Sequence, residues 1–188
     1  TVAVNMAAML ARGGTDVVYA DCDVEEPNGH IFVKPAISAS RNSTMPYPVV
    51  DESICTGCGL CHDICRFNAI VLISGKPIVF SDLCHACGGC LHVCPVGAIH
   101  EERRDIGVVE WGTGEGFAFI HGRLTIGQVL SPPLIRDVRR SVPEADVTIV
   151  DCPPGTSCPV IASMSGSDYI LLVTEPTPFG LHDLKLAV

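Results

Sequence analysis

The chain has 188 residues, 47% of them hydrophobic, with a formal net charge of −9 and eleven cysteines. So apolar a composition argues against disorder, and the acidity argues against nucleic acid or an anionic membrane as a partner held by bulk charge. No apolar run reaches the roughly 18 residues of a membrane span, which leaves an ordinary domain with room for a small insert.

The opening "TVAVNMAAMLARGG" reads as a helix. Val2, Met6, Met9 and Leu10 recur at helical spacing, and Gly13-Gly14 stop it. Val17 to Ala20 then read as a buried strand that ends in acidic residues, Asp21 and Asp23.

Next come "CTGCGLCHDICRFNAI" at Cys55 and, 29 positions on, "CHACGGCLHVCPVGAI" at Cys84. Eight of the eleven cysteines fall in these two runs, each spaced C-x2-C-x2-C-x3-C. Secreted disulfide scaffolds spread their cysteines across a short, loop-rich chain. Here they cluster amid apolar sequence, which suits metal binding in a reducing compartment. Zinc ribbons use two separated C-x2-C pairs. Three thiolates from one tight loop instead match three corners of an iron–sulfur cube, with glycines at 57, 59, 88 and 89 permitting the bends. The fourth cysteine lies one helical turn beyond the third, and in bacterial two-cluster ferredoxin spacing it ligates the other cluster. The expected ligands are therefore Cys55, Cys58, Cys61 and Cys94 for one [4Fe–4S] cluster, and Cys84, Cys87, Cys90 and Cys65 for the second. Pro95 follows Cys94 as that pattern expects, whereas Arg66 follows Cys65. His62, His85 and His92 lie between ligands that already number four, so they read as exposed or packing residues. The repeat makes Ile70 and Ile99 equivalent and delimits an insert over residues 51–101. About fifty residues cannot fold on an apolar core alone, so the clusters must supply folding free energy.

After the insert, "GTGEGFAFIHGRLTIG" lacks a G-K-[ST] and reads as a hairpin leading back to the sheet. Val147 to Val150 form a second strand, with Asp151 at its carboxyl end and Pro153-Pro154-Gly155 as a turn. "SDYILLVTEPTP" reads as a third strand. Strands alternating with helices imply a parallel α/β sheet whose ligands bind beyond the carboxyl strand ends. Asp21, Asp23, Asp151 and Glu175 fall there, and carboxylates in that position suit magnesium and phosphates. Cys22, Cys152 and Cys158 read as packing residues, with redox chemistry as the other possibility.

"YADCDVEEPN", "VDCPPGTSCP", "LLVTEPTPFGLHDL" and "CRFNAI" resemble the MinD/ParA-type P-loop ATPases, specifically those carrying an inserted two-cluster ferredoxin domain. The resemblance covers essentially the whole chain. It implies an α/β P-loop-type domain over residues 1–50 and 102–188, interrupted by the ferredoxin insert at 51–101, and a nucleotide-dependent homodimer. Asp23 matches the switch I aspartate, Asp151 the magnesium-holding aspartate, and Asp151–Ser157, with Pro154 and Gly155, the loop that senses the γ-phosphate. Thr1 matches the second threonine of the pair that starts the first helix, directly after the phosphate loop. The loop's glycines and lysine are expected upstream of Thr1, so the chain reads as a fragment, truncated at both ends, of a parent ATPase.

The resemblance further implies ATP, Mg²⁺ and two [4Fe–4S] clusters as cofactors in an anaerobic cytoplasm. A redox partner protein or a cluster acceptor would dock, with no nucleic acid or membrane involved. Three functions stay open: ATP-coupled electron transfer, cluster assembly or carriage with Cys152 and Cys158 as a labile site, and a non-enzymatic ferredoxin module.

Overall fold

The structure is a computed structural model and describes residues 2–188. In chain order it contains α1 (Val2–Arg12), β1 (Val17–Asp21), α2 (Gly29–Val33), β2 (Ala36–Val50), α3 (Leu60–Ile64), β3 (Ile70–Ile73), β4 (Lys76–Val79), α4 (Gly89–Val93), β5 (Ile99–Gly114), β6 (Phe117–Leu124), α5 (Pro132–Arg140), β7 (Val147–Asp151), α6 (Cys158–Met164) and α7 (Pro178–Ala187). Two compact units result. One takes in the residues through Ser43 together with Gly107–Thr125 and Ser131–Val188; the other takes in Thr44–Ile106 and Ile126–Leu130. The second unit is wider than the 51–101 span expected, because the long strands β2 and β5 each contribute to both units. No helix among the described residues is long and apolar enough to cross a membrane.

The sheet is mixed, with strand order β2-β5-β6-β1-β7. β1 runs parallel to β6 and to β7, but β5 runs antiparallel to β6. This corrects the all-parallel expectation. The cause is local: Glu115 and Gly116 both take positive φ, 53° and 85°, and close a two-residue hairpin between β5 and β6. A turn that tight can join only antiparallel strands. The segment expected as a hairpin thus supplies a sheet strand of its own.

β1 is buried along its whole length, as a strand covered on both faces should be. Val17 and Tyr19 pack with Phe117, Phe119 and the α1 residues Val4 and Ala7. Of the expected α1 stripe only Leu10 packs against this core, while Val2, Met6 and Met9 are exposed. Ala3, Ala7, Ala8 and Ala11 pack there instead, because small residues let a helix approach a sheet closely. Leu134, Ile135 and Val138 of α5 are fully buried. A Cβ at Gly122 would lie 2.8 Å from Val138 and 2.7 Å from Val24, so the missing side chain is what gives them room.

The expected third strand does not form. Residues 169–173 carry no strand, and Tyr169 and Val173 are 84% and 66% exposed. A strand is stabilised by its ladder, and among the described residues this apolar run has no ladder partner.

In the second unit the 29-residue repeat becomes a pseudo-two-fold. Its small core is Cys61, Ile70, Cys90 and Ile99, two pairs that the repeat relates. The Asp51 N–H donates to the Ala98 carbonyl at 2.7 Å, and the equivalent Phe80 N–H donates to the Ala69 carbonyl at 2.8 Å. Each bond ties the entry of one run to the exit of the other.

Candidate metal centre

Each run opens with a bent loop. Gly57 and Gly59 have φ of 69° and 83°, and the equivalent Ala86 and Gly88 have 53° and 72°. Gly57 is required for a second reason: a Cβ there would collide with the Gly75 carbonyl oxygen of the β3–β4 turn. Short helices α3 and α4 follow, and Cys65 and Cys94 are the residues that cap their carboxyl ends. A five-residue helix therefore sets the spacing between the third and fourth cysteine.

Two cavities form. One is lined by Cys55, Cys58, Cys61 and Cys94, with Val50, Leu72, Pro77 and Ile99 around them. The other is lined by Cys65, Cys84, Cys87 and Cys90, with Ile64, Phe67, Ala69 and Leu91. Each cavity draws three thiols from one run and the fourth from the other. Among the described residues, no three His, Cys, Asp or Glu side chains stand close enough to share one ion. A cube takes its thiolates on four separate irons, so its ligands stand farther apart than those of a single zinc.

Burial pushes the Cys61, Cys84 and Cys90 thiols up, Cys90 to about 11. The thiols also raise one another: Cys55 and Cys58 act on Cys61, Cys87 and Cys65 on Cys84, and Cys84 and Cys87 on Cys90. The influence of Cys65 on Cys84 crosses between the two runs. Two sulfurs already accept backbone bonds, Cys84 from the Ala86 N–H at 3.3 Å and Cys94 from the Ala98 N–H at 3.2 Å. The histidines sit outside the thiol sets. A ring nitrogen of His62 lies 2.8 Å from the Ile70 carbonyl, His85 stacks on Phe67 with centroids 3.6 Å apart, and His92 is exposed.

In the other unit, the register sets Asp21 opposite Asp151 at the carboxyl ends of β1 and β7. Asp21 is buried and accepts from the Gly29 N–H at 2.9 Å and the Asp23 N–H at 3.1 Å. Burial raises its carboxyl to about 6 against those two bonds, and Asp151 pushes in the same direction. Asp23 is raised too, by burial first and by Asp151 and its acidic neighbours. The Tyr19 hydroxyl donates to Asp151 at 2.6 Å, and burial moves that phenol far above its ordinary range. Cys22 is buried and pushed up to about 12, by burial and then by Cys152. Asp21, Asp23 and Asp151 are thus brought together, while Glu175 is exposed in the segment expected to be a strand. Pro154 and Gly155 are exposed in the loop after β7, with Gly155 at φ 99°, and Cys158 begins α6. Thr1 lies outside the described residues.

One participant escaped the sequence reading. Tyr19 looked like one more buried strand residue. Only the parallel register assigns it a partner.

The middle of the chain, with its paired four-thiol cavities, has a counterpart among known families. Residues 37–100 match the 4Fe-4S dicluster domain family. This dicluster segment is a ferredoxin-type iron–sulfur domain, and it accounts for eight of the cysteines. Two relatives come from Methanocaldococcus jannaschii. The uncharacterized protein MJ0578 is 34% identical over 174 residues, covering 89% of this chain and 60% of that protein. The uncharacterized protein MJ0579 is 26% identical over 136 residues, covering 71% of this chain and 39% of that protein. The chain therefore spans less than two thirds of either relative.

Proposed function

We propose that the protein carries electrons through two [4Fe–4S] clusters, one in each cavity, and couples that transfer to ATP. The observation that carries the cluster reading is the pair of cavities, each lined by four thiols drawn from both runs. Cys55, Cys58, Cys61 and Cys94 hold one cluster, and Cys84, Cys87, Cys90 and Cys65 the other. Bound there, a [4Fe–4S] cluster supplies one-electron redox chemistry. The chain's own groups prepare for it. The Ala86 and Ala98 N–H groups donate to ligand sulfurs and stabilise negative charge on them. The raised thiols hold their protons until metal displaces them, so loading strengthens as pH rises. Apolar residues make up much of each cavity wall, while Cys58 and Cys87 reach solvent.

The nucleotide part of the proposal rests on Asp21, Asp23 and Asp151, gathered where open α/β sheets bind ligands. Asp151 takes the magnesium role, Asp23 the water-orienting role, and Pro154 and Gly155 belong to the phosphate-sensing loop. The Tyr19 hydroxyl fixes the rotamer of Asp151. A nucleotide-closed homodimer then presents the dicluster segment to a redox partner protein.

The test loads the protein anaerobically with labelled iron and sulfide, then adds MgATP and an apo-acceptor while phosphate release is followed. About eight irons per chain, as two cubes require, retained through turnover support the proposal. Iron that leaves with hydrolysis makes the protein a cluster carrier. Absence of phosphate release removes the ATP part and leaves a ferredoxin module.

A further inference from the structure

Asp21 and Asp151 are the last register pair between β1 and β7, and a cysteine follows each of them. The Cys22 N–H donates to the Asp151 carbonyl at 2.9 Å. In a parallel ladder an N–H bonds the residue just before its own neighbour, so this bond makes Cys152 the neighbour of Cys22. The return bond would come from residue 153, but Pro153 has no N–H, and the ladder ends there. Neighbours in register share a face of the sheet, and successive residues alternate between faces. Tyr19 reaches Asp151 on the face that α1 covers, which puts the two cysteines on the other face. There Ser163 of α6 hydrogen-bonds Cys152, and the Arg139 charge on α5 acts on both sulfurs.

Adjacent strands run about 4.8 Å apart, within the roughly 4.4–6.8 Å that separates the Cα atoms of disulfide-bonded cysteines. Cys22 is fully buried and Cys152 half-buried, whereas Cys158 is exposed at the start of α6. One sulfur is thus shielded and one reachable, side by side at the end of the sheet. Neither belongs to the eight thiols of the cysteine runs, and the roles given to Asp21, Asp23 and Asp151 leave both unused.

We propose that Cys22 and Cys152 form a redox-responsive disulfide that fastens the carboxyl end of β1 to that of β7. The oxidant is a low-molecular-weight disulfide. Cys152, the reachable sulfur, gives up its proton and attacks one oxidant sulfur. The oxidant's S–S bond breaks, and one small thiol leaves with a proton. Cys22 then attacks the Cys152 sulfur of the mixed disulfide, and its proton goes to the second small thiol. The two cysteines together lose two electrons and two protons, and the oxidant becomes two thiols. Burial shields Cys22 from the oxidant, so it reacts only with the sulfur beside it. Where thiols are kept reduced, such a bond is transient and registers oxidation. The inference stands apart from the cluster and nucleotide readings.

The experiment incubates the iron-loaded protein without oxygen in graded mixtures of oxidised and reduced glutathione. Remaining free thiols are capped with N-ethylmaleimide, and protease fragments are sequenced by mass spectrometry before and after reduction. With oxidant in excess, Cys22 should be linked to Cys152 in most chains while Cys158 is capped, and excess reduced glutathione should undo the link. Cys22→Ala removes the second attacking sulfur and should leave one glutathione on Cys152. Cys152→Ala should leave Cys22 a free thiol. If those variants do not fold, the wild-type map decides. A Cys22 that stays free at every ratio, a link from Cys152 to Cys158, or a wild-type Cys152 that keeps its glutathione would each overturn the inference. Low iron content would count against the cluster reading alone, because the map identifies each cysteine by its own fragment.

Discussion

Replacing Tyr19 with Phe removes a single oxygen from the sheet and leaves the ring where it is. That ring is fully buried, stacked on Phe119 at 5.8 Å and 20° and tilted against Phe117 at 6.4 Å. The oxygen is the donor to Asp151 at 2.6 Å. Hydrogen bonds to charged groups contribute roughly 1.5–3 kcal/mol. Asp151 is only half-buried, so water can take over part of the bond, and the expected loss falls near the low end, about 1.5 kcal/mol. For a chain of this length that is about 3–6 °C in Tm. The sole tryptophan, Trp111, provides the probe. It lies in the same unit as β1 and β7, and its indole N–H donates to the Ser141 carbonyl at 3.1 Å. Urea unfolding followed by its fluorescence should show a lower midpoint at unchanged slope. In an Asp151→Ala background, which removes the acceptor, the cost of Tyr19→Phe should shrink to a few tenths of a kcal/mol, roughly the limit of additivity. If the full loss persists there, the hydroxyl acts through some other group. If Tyr19→Phe costs nothing in the wild type, the bond contributes nothing to stability.

Asp21 gives a pH dependence. Its folded carboxyl sits at about 6 against an ordinary 3.8, so its stabilising contribution is whole below about pH 4 and is lost as pH rises through about 6, amounting to about 3 kcal/mol. The urea midpoint of the metal-free protein should fall over that range, and Asp21→Asn should flatten the fall; a flat wild-type profile refutes this. Cys65→Ser should strip iron from the cavity of Cys84, Cys87 and Cys90 and spare the cavity of its own run, with Cys94→Ser doing the reverse. Iron content and the two spectroscopic signals check it, and damage confined to the mutated run would disprove the exchange. Gly57→Ala should impair loading of the first cavity. Ala86 tolerates a Cβ at the equivalent positive φ, but at position 57 the Cβ meets the Gly75 carbonyl. Full iron content in that variant would show that the turn yields.

The thiol sets were legible in the sequence because a three-residue gap and a five-residue helix leave the fourth cysteine little freedom. The ends of β1 and β7 were legible too, since apolar runs stopping at aspartate are local signals. The sheet direction was not. It depends on a two-residue turn inside a glycine-rich stretch, and on which strand β5 finds as a neighbour. The α1 face was misjudged because large apolar residues outweigh alanines in any periodicity, whereas packing against a sheet favours the small ones. Residues 169–173 have strand composition, but composition does not supply a ladder partner. Tyr19 acquires its role only from a group distant in the chain, Asp151.

The crossed arrangement of the two runs bears on how such a segment can be inherited. Cys61 packs with Cys90 and Ile70 with Ile99 in one small core, and the backbone bonds at Asp51 and Phe80 each reach into the other run. Neither copy of the repeat contains a complete cavity or a complete core. A gene that lost one copy would not retain half a site; it would encode three thiols around one opening and a stray fourth. Mutational drift in either copy can therefore reach either cavity, so the duplicates are held to a common fate.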